Sequence, residues 1–341
     1  MCNNRDMNLS KITAISILAL TSGLSCRSAE PGETGEQEDT AVTEVIPSEY
    51  IEDDTEITPL LSIEQVTTGL ADGLDWLFNF SPEFAHDSYI EVLGYGYGDG
   101  GYGGEEPTYE CPFYYEGYDY DYWRDTCQRE DGTSFSGFGQ SWNYEEYEED
   151  GYLYSSDAYF NGDARIITPE GHTWIGAGKV QTYRREKIED EKKYIYRNVE
   201  GEFRWEGLTG GGTWMQESVT VDFYAAINNY PNDDEPSRIY TVLKGGVTGL
   251  QGDINTISLV DVMIYDDTLG SVCDLEPYGT ISVRDDEGGW YDVVFDGPPY
   301  WGGWSYESAC DGCGEAFYRG ETIGSVCVDF SQWIDWEGMP W

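Results

Sequence analysis

Apolar and polar residues alternate with period two along most of the chain after residue 150, which predicts β-strands. The predicted strands are Tyr152–Phe160, Ala164–Thr168, Thr173–Tyr183, Tyr194–Trp205, Thr213–Ala226, Arg238–Leu243, Ile257–Tyr265, Thr280–Val283 and Trp290–Phe295. Short segments rich in Gly, Pro, Asn and Asp separate them and suit tight turns. Short connections favour antiparallel neighbours, because parallel strands need crossovers of about a dozen residues. We therefore predict an all-β fold, an antiparallel meander that forms a curved sheet or a partly closed barrel.

One segment before these strands carries its apolar residues at helical spacing. They lie three or four positions apart within residues 63–78 and are Ile63, Val66, Leu70, Leu74 and Leu77. Ser62 precedes the segment and Gln65 follows three positions later, the pattern of a capping box at a helix N-terminus. No second helical pattern is visible, so we predict a single N-terminal amphipathic helix at 63–78.

The N-terminal residues have the order of a secretory signal peptide. Arg5 and Lys11 precede an apolar run at 12–20, and small residues follow up to Cys26. The apolar run is too short to span a bilayer. We predict that residues 1–25 form a signal peptide and that the protein is exported.

The stretch Gly23-Leu24-Ser25-Cys26 resembles the signal of bacterial lipoproteins, in which the cysteine is diacylated and becomes the mature N-terminus. Ser25 fits that pattern, whereas Gly23 stands where the family usually has Leu. The resemblance implies lipidation of Cys26 and attachment to a membrane of the cell envelope, for which we expect the outer membrane. The alternative is ordinary secretion with an unmodified Cys26.

The charge of the chain is strongly negative. It has 66 acidic and 18 basic residues, a formal net charge of −48, which repels phosphate backbones and excludes nucleic acid as a partner. Residues 26–57 are acidic with few apolar positions and are predicted to be a disordered tether. The folded β domain is therefore expected at 58–341. With its Tyr- and Gly-rich body the whole chain resembles uncharacterised acidic surface lipoproteins of proteobacteria, a resemblance that implies no activity.

Six cysteines remain after Cys2 and Cys26 are set aside, and an even number in an exported chain predicts disulfides. If Gly320 lies at the turn of a C-terminal hairpin, 313–330, Cys313 and Cys327 are each seven residues from it and face each other. The remaining pairs are then Cys273 with Cys310 and Cys111 with Cys127. The alternative is a redox motif or zinc site at Cys310 and Cys313, joined by Cys273 and Cys327.

No catalytic residue is predicted. The only two histidines, His86 and His172, accompany no nucleophile motif and are expected in a loop and a turn. Glu145–Asp150 and Asn232–Glu235 are acidic runs that we expect to be solvated loops. Calcium is the one cofactor that such loops would suit, but no EF-hand spacing is present and no metal ligand is assigned.

Exposed aromatic residues are the remaining candidates for ligand contact. Aromatic and acidic residues alternate between 118 and 122, and a strand there would place the rings on one face and the carboxylates on the other. The candidate residues are Tyr118, Tyr120, Tyr122, Trp123, Trp301 and Trp304. Such rings stack on sugars or bind a protein partner, and the alternative is that they pack in the core.

These observations predict a non-enzymatic surface or envelope lipoprotein with a β domain that binds or scaffolds an unassigned ligand. Two alternatives remain open. One is an extracellular glycan-active hydrolase with paired carboxylates, and the other is a calcium-dependent adhesion module.

Overall fold

The computed structural model describes residues 58–93, 111–117, 120–148, 153–189, 192–207, 209–210, 213–214, 218–229, 239–266, 277–297, 312–335 and 338–341. All of them fall within one compact unit of the chain. The predicted signal peptide, Cys26 and the whole of the predicted tether lie outside the described residues.

The predicted helix is confirmed as α1 (Ile63–Phe78). Its capping box is formed, because Gln65 donates its backbone N–H to Ser62 Oγ at 3.3 Å and its side chain accepts from Ser62 N at 3.0 Å. Its apolar stripe is buried on the sheet.

A second helix, α2 (Pro82–Leu93), corrects the prediction of a single helix. Its N-terminal signal is local: Pro82 occupies the first helical position, where its missing N–H costs nothing, and Ser81 Oγ accepts from Phe84 N at 3.1 Å. Its apolar stripe is short and interrupted by polar residues, so periodicity alone does not reveal it. His86 therefore lies in a helix and not in the predicted loop.

Thirteen antiparallel strands form one meandering sheet, which confirms the predicted fold class. The strands are β1 (Phe113–Glu116), β2 (Tyr120–Gln128), β3 (Ser134–Glu148), β4 (Leu153–Ile167), β5 (Thr173–Glu189), β6 (Lys192–Glu206), β9 (Ser218–Asn229), β10 (Ile239–Thr248), β11 (Ile254–Asp266), β12 (Tyr278–Asp285), β13 (Trp290–Asp296), β14 (Cys313–Tyr318) and β15 (Glu321–Cys327). Two short strands, β7 (Thr209–Gly210) and β8 (Thr213–Trp214), pair only with each other among the described residues. A short 3₁₀ helix, Ser331–Trp333, follows β15. The large sheet is open, because in the described chain β1 and β15 each pair with one neighbour.

The strand predictions needed three corrections. One continuous strand, β4 (Leu153–Ile167), replaces the two predicted at 152–160 and 164–168, and the chain before residue 150 contributes β1 to β3. The acidic run that begins at Glu145 was expected in a loop, but Glu145–Glu148 continue β3 and pair with β4. Their side chains remain solvated because this end of the strand is exposed.

The two faces of the sheet differ in composition. The inner face packs against α1 and α2, and on β9 it buries Val219, Val221 and Phe223 while Thr220 and Asp222 between them are exposed. The C-terminal residues complete this core, since Trp341 Nε1 donates to the carbonyl oxygen of Phe78 at 3.1 Å. The outer face, on the opposite side of the sheet, carries the polar residues that alternate with the buried ones along each strand, and many of the aromatic residues.

Two of the three predicted disulfides are confirmed, Cys111–Cys127 and Cys313–Cys327. The second joins residues directly opposite each other on β14 and β15, with Gly320 at the turn as predicted. Because both thiols are bonded, Cys313 and Cys327 are not available for the alternative zinc or redox site. Cys273 and Cys310 lie outside the described residues. Disulfides of this kind are typical of a protein outside the reducing cytoplasm.

Candidate functional site

Aromatic and polar side chains from five adjacent strands share one area of the outer face. Two transverse rows of residues, set two positions apart along each strand, make up most of this area, and Tyr196 lies in the next row, opposite Arg185. We call it the outer tyrosine patch; it consists of Trp142, Tyr144, Asp157, Tyr159, Gln181, Tyr183, Tyr196, Asn198, Glu200 and Tyr224.

Strand register brings these residues together. In one row Trp142 lies opposite Tyr159, and Tyr159 lies opposite Gln181. In the other row Asp157 lies between Tyr144 and Tyr183. Directly opposed side chains on one face are close enough to interact, so the rows form a continuous surface.

The β3 end of the patch is an aromatic platform made of two stacked rings. The rings of Trp142 and Tyr144 have centroids 6.0 Å apart and planes within 8° of each other. Tyr144 is 46% exposed, whereas Trp142 is partly buried. The exposed side of this stack offers an aromatic surface to a ligand.

The β6 end of the patch is more enclosed and more polar. Tyr183 and Tyr196 have ring centroids 5.9 Å apart, and Tyr196 shares a side-chain hydrogen bond with Tyr224. Gln181 Nε2 donates to Glu200 Oε1. Burial, with neighbouring Tyr224 and Glu200, raises the pKa of Tyr196 to about 12, so its hydroxyl is neutral at physiological pH.

Asp157 is the carboxylate in the middle of the second row. Partial burial raises its pKa, and the charge of Lys179 opposes the shift. Lys179 itself lies over the ring of Tyr159, with Nζ 5.2 Å from the centroid. The patch therefore combines aromatic rings, on which a ligand can stack, with side chains that donate hydrogen bonds and side chains that accept them.

The aromatic residues predicted from the sequence divide between the two faces. Tyr120 is 44% exposed on the outer face and lies opposite Trp142, so it extends the aromatic platform; Tyr122 shares its face. Trp123 is fully buried on the inner face, where it stacks on Tyr114 at 5.2 Å, so it is unavailable to an external ligand. Tyr118, Trp301 and Trp304 lie outside the described residues.

Sequence reasoning did not single out the patch itself. Trp142 and Tyr144, and likewise Tyr194 and Tyr196, are spaced two apart, which suggests a shared face. The sequence does not tell which face points outward or which strands become neighbours. That information comes only from register and from the position of α1 and α2.

A second polar cluster lies on the inner face. Arg197 Nη2 and Arg184 Nη2 contact Glu186 Oε1 at 2.8 and 2.6 Å, and both Glu186 and Arg197 are almost fully buried. Burial opposes the charge of Glu186, but hydrogen bonds from the two arginines outweigh it and lower the pKa of that carboxyl. A buried carboxylate held by two arginines indicates a structural ion pair.

The described part of the chain shows no group of three or more His, Cys, Asp or Glu side chains placed to hold a metal ion. His172 is exposed just after a turn closed by Gly171 N donating to Thr168 O. The acidic run 232–235 lies outside the described residues. None of the described helices is long and apolar enough to cross a membrane.

Comparison with known proteins gives no relative. No family model matches the chain, no curated protein matches it, and no solved structure matches it.

Proposed function

We propose that this protein is a non-enzymatic binding protein of the cell envelope, whose β domain uses the outer tyrosine patch to bind carbohydrate. The observation that carries the proposal is the platform of Trp142 and Tyr144 set beside amide and carboxylate groups on adjacent strands. Sugar rings present apolar C–H faces and polar hydroxyl edges. A surface that pairs exposed rings with hydrogen-bonding side chains matches both.

The position of the patch supports binding over catalysis. It lies on the open outer face of a sheet. A glycosidase needs two carboxyl groups placed across the scissile bond, one of them kept protonated by burial. Of the two carboxylates in the patch, Glu200 accepts a hydrogen bond from Gln181. The raised pKa of Asp157 is the one observation that favours the hydrolase alternative, because a general acid must hold its proton.

Attachment to the envelope is the second part of the proposal. We infer that Cys26 is diacylated and that the acidic tether, 26–57, holds the β domain away from anionic headgroups. The disulfides, which are typical of an exported protein, support this location. Intact mass of the mature protein tests it: a diacylated N-terminal Cys26 is expected, and an unmodified chain that retains residues 1–25 would contradict it.

Carbohydrate binding is tested with the folded chain from residue 58 onward, produced under oxidising conditions and run through gels that contain neutral or acidic polysaccharides. We expect retardation by at least one polysaccharide, with no release of reducing ends during prolonged incubation. Release of reducing ends that stops in Asp157→Asn would establish the hydrolase instead. Retardation that disappears in excess chelator would favour calcium-dependent adhesion.

A further inference from the structure

Arg185 lies at one corner of the outer tyrosine patch. Its side chain is exposed on the outer face of β5, two residues after Tyr183. It lies opposite Ser155 on β4 and opposite Tyr196 on β6. Directly opposed residues on one face have side chains close enough to interact. A guanidinium group therefore lies beside the tyrosine rings that form the enclosed end of the patch.

The side chain of Arg185 has no partner among the described residues, although the whole chain has 66 acidic and 18 basic residues. Arg165 is the other described arginine without a partner. The remaining described arginines each contact a carboxylate, a carbonyl oxygen or an aromatic ring; they are Arg124, Arg129, Arg184, Arg197, Arg204, Arg284 and Arg319. Because a guanidinium group binds a carboxylate through two parallel hydrogen bonds, Arg185 is available to an anion from outside.

The carboxylates of the outer face nearest to Arg185 do not neutralise it. Asp157 on β4 is its diagonal neighbour, a relationship that corresponds to about 7–8 Å. Burial raises the pKa of Asp157, and the charge that opposes this shift is that of Lys179. A guanidinium group directed at Asp157 would lower that pKa, so Arg185 is directed elsewhere. Glu146, in the same transverse row as Arg185, is two strand spacings away, about 10 Å.

The two lysines on the outer face of β5 are placed differently from Arg185. Lys179, six residues earlier, lies opposite Glu202, and its amino group lies over an aromatic ring of the patch. Its charge is therefore partly offset. Lys187, two residues after Arg185, adds a second positive charge at the same corner. Positive charge on this face of β5 is thus concentrated around Arg185.

The rest of the patch favours uncharged groups. Its two carboxylates, Asp157 and Glu200, accept hydrogen bonds but repel anions. The rings of Trp142 and Tyr144 offer a stacking surface without charge. A polysaccharide with a carboxylate on every sugar would be repelled here, as would the closely spaced phosphates of nucleic acid. A polymer in which acidic and neutral sugars alternate matches both parts of the surface.

We propose that Arg185 is the recognition point of the patch: its guanidinium group binds the carboxylate of a uronate residue in a polysaccharide whose neighbouring sugars are neutral and lie across the rings toward Tyr144. The two residues are two strand spacings apart, about 10 Å, so neighbouring sugars of one chain reach both. This inference rests on the proposed carbohydrate-binding function and narrows it to polysaccharides that carry carboxylates at intervals. Neutral polysaccharides and polymers of uronate alone bind more weakly.

Titration calorimetry with the exported protein, its disulfides intact, tests the inference. The first probes are hexasaccharides in which glucuronate alternates with N-acetylglucosamine or with N-acetylgalactosamine. The second probes are the same two after reduction of their carboxyl groups to alcohols, and the third are hexasaccharides of galacturonate or mannuronate alone. A chelator is present throughout, so that calcium does not bridge carboxylates. We expect at least one alternating hexasaccharide to bind about tenfold or more tightly than its reduced form and than both uronate homopolymers.

The variants are Arg185→Gln, which removes the charge, and Arg185→Lys, which keeps the charge but not the two-bond geometry. Arg165→Gln is the matched control, because Arg165 is also exposed on the outer face without a partner and lies about 30 Å from Arg185 along the strands. Arg185→Gln should weaken binding of the alternating hexasaccharide by about tenfold, the effect of a lost charged hydrogen bond. Arg185→Lys should weaken it less, and Arg165→Gln should bind as the wild type does. Exposed side chains without partners contribute little to stability, so all three variants should fold.

Three results would overturn the inference and leave carbohydrate binding standing. They are wild-type affinity in Arg185→Gln, an equal loss of affinity in Arg165→Gln, and binding of the reduced hexasaccharides or the uronate homopolymers that equals or exceeds binding of the alternating ones. Absence of binding to every saccharide would overturn the proposed function as well.

Discussion

The hydroxyl group of Tyr89 on α2 donates a hydrogen bond to the carbonyl oxygen of Gly176 on β5 at 2.8 Å. The ring reaches this position because glycines line the inner face beneath it. A Cβ atom added at Gly162 would lie 2.1 Å from the Tyr89 hydroxyl oxygen, and one at Gly139 would lie 2.7 Å from the ring. Glycines on β3 and β4 therefore make room for α2 to pack against the inner face. Because α2 covers that face, the opposite face of these strands is exposed to solvent.

Gly162→Ala should destabilise the protein by roughly 1–3 kcal/mol, because the added methyl group overpacks the site. Tyr89→Phe should cost about 1 kcal/mol through loss of the hydrogen bond to Gly176. The double variant should be more stable than the sum of the two costs predicts, since phenylalanine lacks the atom that the methyl group meets first. Urea unfolding of the four proteins measures this coupling, and strictly additive costs would show that the two residues do not meet.

The buried pair of Glu186 and Arg197 should be sensitive to loss of one partner. Glu186→Gln is expected to cost about 3–5 kcal/mol, because it removes a carboxylate that pairs with the buried charge of Arg197. The exposed pair of Lys244 and Asp261, 2.8 Å apart, is the control, and Asp261→Asn should change stability by less than about 1 kcal/mol. Similar costs for the two variants in denaturant titrations would argue against a buried ion pair on the inner face.

His86 should make stability depend on pH. Burial tends to lower its pKa, but hydrogen bonds with Asp121, at 3.1 Å, and Asp87, at 3.3 Å, together with their charges, outweigh burial and raise it. A raised pKa means that the protonated ring stabilises the folded state. That contribution is complete below the unfolded value of about 6.5 and is lost as the pH rises through the folded value.

Melting temperatures from pH 5 to pH 9 test this dependence. The wild type should lose stability relative to His86→Gln as the pH rises through this range, because only the wild type loses a charge that binds α2 to β2. A constant difference between the wild type and His86→Gln at all pH values would contradict the role given to the imidazolium.

Removal of the Cys313–Cys327 disulfide should destabilise the last hairpin. The bond closes a loop with a sequence separation of 14, for which the loss of chain entropy in the unfolded state corresponds to about 3 kcal/mol. Cys313→Ser with Cys327→Ser should therefore lower the free energy of unfolding by roughly that amount, and hydrogen exchange should increase in β14 and β15 first. Unchanged exchange in these two strands would mean that packing alone holds the hairpin.

Local patterns predicted a large part of this fold. The capping box and apolar stripe predicted α1, and equal spacing from Gly320 predicted the Cys313–Cys327 pair. Each of these features depends only on residues that are close together in the sequence. The antiparallel meander followed from short turns between alternating segments, because such turns leave few other topologies.

The remaining features depend on contacts between distant parts of the chain. The apolar residues of α2 are too few for a clear helical period, and its helix is stabilised by burial of Tyr89 and Leu93 on the sheet. Tyr122 and Trp123 are adjacent aromatic residues, yet one faces outward and the other is core. The two residues differ because α2 packs over the face of β2 that carries Trp123. The outer tyrosine patch was not predicted for the same reason, since the sequence alone does not tell which face the helices cover.

The most direct test of the account compares two tyrosines on β3 that lie on opposite faces of the sheet. Tyr144 belongs to the outer tyrosine patch, and Tyr147, 63% exposed, lies on the inner face three residues away. Affinity for the polysaccharide that best retards the wild type would be measured for Tyr144→Ala and Tyr147→Ala. Loss of one stacked ring should weaken binding by about fivefold or more in Tyr144→Ala, roughly 1 kcal/mol of stacking, while Tyr147→Ala binds as the wild type does. Equal affinities for the two variants, with both folded, would contradict a binding site on the outer face.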